Sequence, residues 1–168
     1  DGTRFNYSIT PEQMATAIAT VEKYSVAEKI RRIDDVFADQ PAVLGAAVQL
    51  PSLGGDGSVA DHAFHVLLVL FECFTEQVPK LPKIEPTTVQ KAFDDIASML
   101  RFYDGETDAE AARLHGMWVK NHKEHAVIAF VVDYLSSQLP GLSRESELVR
   151  NCCLAMTNAY LATYEATQ

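Results

Sequence analysis

An all-α fold is what this 168-residue sequence predicts: a single-domain bundle of six or seven helices around a central apolar helix at 58–78. Three observations carry that expectation. No stretch alternates apolar and polar residues with the two-residue period of a strand. Helix-starting motifs recur along the chain, each a hydroxyl residue followed three positions later by Glu or Gln. Finally, ten of the twelve residues Ala63–Phe74 are apolar, with only His65 and Glu72 interrupting. A helix apolar over most of its circumference needs neighbours on several sides. This one is also too short and too interrupted to span a bilayer, which takes about 20 mostly apolar residues.

The elements follow in order. Residues 1–9 read as an irregular lead-in. Thr10-Pro11-Glu12-Gln13 then makes a capping box, with Thr10 as N-cap, Pro11 at the first helical position and Gln13 reaching back. Ile9 and Met14 stand where a hydrophobic staple would place them. Ser25 and Glu28 form a second capping box, followed by Val26, Ile30, Ile33 and Phe37 at helical spacing. Residues 11–38 are therefore two helices, or one bent near Ser25. Pro41 opens a short apolar helix over 42–49, closed by Pro51. The stretch 51–58, with three glycines and a proline, is a loop.

Ser58 is a suitable N-cap for the central helix, and Asp61 favours the same start through the helix dipole. Residues 78–86 are a proline-punctuated connector, held extended because residues before proline avoid the helical region. A helix begins near Pro86 and carries Val89, Ala92, Phe93, Ile96 and Met99, with Gly105 placed to stop it. Thr107 and Glu110 start a further helical pattern that runs to about Gln138. Along it, Lys120, Lys123 and Glu124 point in the directions of the later apolar residues Val127, Phe130 and Val131. The pattern therefore either kinks near 120–125 or projects past the core in its first half. Ser143 caps a last helix with Leu148, Cys152, Ala155, Met156 and Ala159 inward.

Charge and cysteine content narrow the function classes. Fourteen Lys and Arg against 23 Asp and Glu leave a formal charge of −9, which disfavours non-specific binding to nucleic acid or anionic lipid. Cys73, Cys152 and Cys153 lie inside apolar patterns and form no disulfide framework or zinc ribbon. They read as small buried hydrophobes of a reducing compartment, the cytoplasm. No apolar signal-like segment stands at the start.

The polar residues that could carry chemistry are mostly histidines. His62 and His65 form one pair at i, i+3, and His122 and His125 another, a spacing that puts two rings on one side of a helix. On the central helix Ser58, Asp61, His62, His65, Glu72 and Glu76 share a stripe about 100° wide. His115, His122 and Asp133 point one way on the later helix. Facing stripes would make a metal site of His62, His65, His122, His125 and Glu72, serving a metal-dependent hydrolase or oxidase. The bland alternative is that both stripes are solvated helix faces. No Glu-x-x-His or His-Glu-x-x-His motif is present, so di-iron and zincin patterns fail. Leu53–Gly57 lacks the lysine and the preceding strand of a phosphate-binding loop. A Cys73–His nucleophile pair would need a thiolate in a nearly continuous apolar run, where it is costly.

No catalytic constellation has the spacing its chemistry requires, and no cofactor is indicated. The leading expectation is a binding or assembly module that pairs with itself or another protein, supported by the apolar content of the last helix.

Overall fold

The computed structural model describes residues 9–53, 57–103, 123–139 and 143–168. Among them are seven α-helices, one 3-10 turn and no strand. Helix α1 spans Pro11–Glu22 and α2 spans Val26–Asp39. Both capping boxes form. The Gln13 N–H donates to Thr10 Oγ1 at 3.2 Å, and the Thr10 N–H to Gln13 Oε1 at 2.9 Å. Ser25 and Glu28 do the same at 3.2 and 3.3 Å. Ser25 is extended, at φ −68° and ψ 167°, so residues 11–38 are two separate helices rather than one bent one. Ile9 and Met14 are both buried, as a staple requires.

Helix α3 spans Pro41–Val48, and a 3-10 turn, Leu50–Leu53, contains Pro51. Helix α4 spans Gly57–Gln77, so Ser58 lies in its first turn rather than at its N-cap. Leu67, Leu70, Phe71 and Phe74 are all deeply buried. Helix α5 spans Pro86–Tyr103. Gln40, buried at the α2–α3 junction, ties the 78–86 connector to the body. Its Nε2 donates to the Pro82 carbonyl at 3.1 Å, and its Oε1 accepts from the Ile84 N–H at 2.8 Å. One side-chain amide thus satisfies two backbone groups of a connector whose prolines keep it out of a helical ladder.

Helices α6 and α7 span His125–Gln138 and Arg144–Glu165. The helical pattern read from 107 to 138 is interrupted: Lys123 and Glu124 are not helical, and α6 starts at His125. The physical reason is Glu124, whose side chain turns inward and is almost fully buried, accepting from the Ile9 N–H at 3.3 Å. A carboxylate taken from water needs such donors. The start expected at Thr107 and the stop expected at Gly105 lie outside the described residues. Ser143 caps α7, its Oγ accepting from the Ser146 N–H at 3.1 Å.

The core has two central helices where the sequence pointed to one. Helix α4 packs on α1, α2, α3, α6 and α7, and α7 in turn packs on α3, α4, α5 and α6. Besides the expected inward stripe, Cys153, Leu154, Thr157, Tyr160 and Leu161 are buried on α7. Small residues at 152, 153, 155 and 159 let neighbouring helices approach from several directions, which no single stripe reveals. Thr157 is accommodated because its hydroxyl donates to the Cys153 carbonyl at 2.7 Å. The apolar content of α7 therefore serves this chain's own core.

Helix α2 shows the opposite behaviour. Val26, Ile30, Ile33 and Phe37 fall within an arc of about 60°, and such a face ordinarily looks at the core. Here Val26, Phe37 and Ile30 are 76%, 68% and 58% exposed, and Ile33 is half-buried. The residue that α2 buries is Val36, about 90° round the helix from that stripe.

Candidate functional site

The polar stripe of α4 divides into two clusters. At its N-terminal end His62 and His65 meet Tyr134 of α6. His62 Nδ1 and the Tyr134 hydroxyl share a hydrogen bond of 2.9 Å. The His65 ring stacks on Tyr134 with centroids 4.8 Å apart and planes 16° from parallel, while His62 approaches the same ring edge-on at 5.8 Å. Phe130, one turn earlier on α6, flanks Tyr134 at 5.9 Å. Burial pushes the Tyr134 phenol up to about 12, with Cys153 and Asp61 adding to it. Burial also lowers the imidazole of His65, and the nearby Lys29 charge lowers it further. Near neutral pH the cluster therefore holds a protonated phenol against an uncharged His65 ring.

The second cluster surrounds Glu72. A single oxygen, Oε2, accepts from the Tyr24 hydroxyl and from Arg32 Nη2, each at 2.7 Å. Arg32 Nη1 donates to Asp35 at 2.8 Å, and the guanidinium lies over the Phe71 ring, 4.9 Å from its centroid. Burial raises the Tyr24 phenol, and its bond to the Glu72 carboxylate raises it further. This network joins the turn between α1 and α2 and the middle of α2 to α4, and it uses Glu72 as a structural acceptor. Nothing in the sequence paired Tyr24 and Arg32 with Glu72, because their separations of 48 and 40 residues carry no local periodicity.

The proposed metal ligands are thus distributed. His62 and His65 sit together, Glu72 is engaged by Tyr24 and Arg32, and His125 begins α6. His125 stands nine positions before Tyr134, about 13.5 Å along the helix axis. His122, like His115, lies outside the described residues. Among the described residues no group of three or more His, Cys, Asp or Glu is placed to hold a metal ion. Asp133, expected to share the histidine direction, is exposed.

The cysteines are inert by environment. All three are free and buried. Burial pushes the Cys73 thiol up to about 12, with the Glu124 carboxylate adding to the effect, and pushes Cys152 up to about 12 as well. A cavity of about 250 Å³ opens over Phe71, Phe74, Leu81 and Tyr160, with Asp39 and Lys83 also lining it. The Tyr160 hydroxyl beneath it is buried without a hydrogen-bond partner among the described residues, while its ring stacks on Phe74 at 4.9 Å.

Set against these inward-facing groups, the α2 face stands apart. Val26, Ile30 and Phe37 are large exposed apolar side chains on one face of α2, while Ile33 between them packs in part on the chain's own core. The helix beneath is fastened by the buried Val36 and by the Arg32–Glu72 pair. No helix among the described residues is long and apolar enough to cross a membrane. No protein-family model, no curated protein and no solved structure matches this chain.

Proposed function

We propose that this chain is a protein-interaction module that docks through the exposed face of α2. The observation that carries the reading is the set Val26, Ile30 and Phe37, each more than half exposed on a helix that is docked on the body through Val36 and Arg32. Large apolar side chains grouped on one face of a folded surface mark a place where another surface belongs. An amphipathic helix offering residues at i, i+4 and i+11 is one of the recurring ways proteins recognise one another. The net charge of −9 favours a protein partner over nucleic acid.

The test is site-specific photo-crosslinking in intact cells. A photoreactive residue replacing Ile30 or Phe37 is expected to trap one discrete protein, while the same group replacing Asp35, on the far side of α2, does not. Equal background from all three positions would overturn the proposal.

A further inference from the structure

Resting on that reading, we propose that the occupant of the α2 face is the α2 helix of a second copy, paired in parallel across a two-fold axis. The spacing of the stripe is the first argument. Val26, Ile30, Ile33 and Phe37 are separated by four, three and four residues, the alternation of the d and a positions of a heptad seam over two heptads. A two-fold axis makes the face complementary to itself, so no second surface is needed.

Charge decides the direction. In this register Lys29 occupies a g position and Asp34 the next e position, on opposite flanks of the stripe. Both are exposed, and neither is in an ion pair among the described residues, whereas Arg32 and Asp35 beside them are paired within the chain. Parallel pairing sets g of one helix against the following e of its neighbour. It therefore places Lys29 against Asp34 of the second copy, twice by symmetry. An antiparallel pair would set like flank against like flank, lysine facing lysine and aspartate facing aspartate.

The body of the protein decides the number of strands. β-Branched residues at d, here Val26 and Ile33, favour three or four strands when helices are free to choose. Here the later part of the g flank, beyond the exposed Lys29, is already occupied: Val36, at the other g position, is fully buried against this chain, Arg32 next to it is bound to Glu72, and Ile33 packs in part on the core. Only one side of α2 remains open, so one partner helix fits.

Sedimentation equilibrium of the full chain tests this, with circular dichroism confirming that each variant is folded. The wild type is expected to form a concentration-dependent dimer, and Ile30→Asp to be a folded monomer. Lys29→Asp and Asp34→Lys each set like charges across the seam and are expected to weaken the dimer by about tenfold. Mixed one to one, these two variants regain opposite charges at both pairs, and their mixed dimer should recover wild-type affinity. A trimer, or a wild-type monomer at concentrations up to about 1 mM, overturns the inference. So does a dimer that survives Ile30→Asp, or a mixture that recovers nothing. If self-pairing fails while crosslinks from positions 30 and 37 still trap another protein, the docking face stands and only its occupant changes. If both fail, the proposed function falls with it.

Discussion

Glu72 is where the two readings of the α4 stripe, structural and functional, separate most cleanly. Its Oε2 is the shared acceptor for Tyr24 and Arg32, each at 2.7 Å, and its side chain is 19% exposed against 27% for Arg32. Hydrogen bonds to a charged group contribute about 1.5–3 kcal/mol each, at the lower end when partly solvated. Glu72→Ala removes both but leaves Arg32 its bond to Asp35 and its place over Phe71, so the expected cost is about 2–4 kcal/mol. Glu72→Gln keeps an acceptor and loses the charge, for about 1–2 kcal/mol. Tyr24→Phe removes one bond, also for about 1–2 kcal/mol. In a domain of this size each kcal/mol lowers Tm by about 2–4 °C. The deciding measurement is a double-mutant cycle by chemical denaturation. Tyr24→Phe in the Glu72→Ala background should cost almost nothing, giving a coupling of about 1–2 kcal/mol. Additive single costs, with a coupling under about 0.5 kcal/mol, would refute the shared-acceptor geometry.

Other expectations concern buried polar groups. Tyr160→Phe deletes a buried hydroxyl that has no partner among the described residues while keeping the ring on Phe74. Stability should be unchanged or about 1 kcal/mol higher, and a loss above about 1 kcal/mol would mean that the hydroxyl is bonded after all. The His65 imidazole is lowered in the folded state, first by burial. As pH falls, the unfolded chain takes up that proton before the folded one. The stability contribution is therefore present above the ordinary imidazole range and is lost as pH drops towards the lower folded value. Denaturation at about pH 7.5 and about pH 5 should show His65→Gln losing less stability than wild type, and equal losses would count against it. With their thiols buried and pushed upward, Cys73, Cys152 and Cys153 should resist a thiol reagent in the native protein and react together on unfolding. Modification of any one at the rate of a free thiol would refute that burial.

Much of the fold was legible because its signals are local. Capping at Thr10, Ser25 and Ser143 depends on residues three positions away. Proline at 41 and 86 starts helices through its own fixed φ, and the apolar density of 63–74 determines that α4 lies inside. The all-α class, the division at Ser25 and the burial of Leu67, Leu70, Phe71 and Phe74 were all within reach of such rules. What depends on residues far apart in the chain was not. Tertiary packing alone selected Glu124 to turn inward beneath Ile9, which starts α6 at His125. Packing also made α7 a second central helix, set His62 and His65 on Tyr134, and gave Glu72 to Tyr24 and Arg32. The α2 stripe shows the division most plainly. Periodicity determined that Val26, Ile30, Ile33 and Phe37 share one face, but only the docking of Val36 and Arg32 onto the body decided that Val26, Ile30 and Phe37 point outward while Ile33 packs in part on the core. Sequence period specifies the angle between side chains on one helix, and it carries no information about the rotation of that helix against its neighbours.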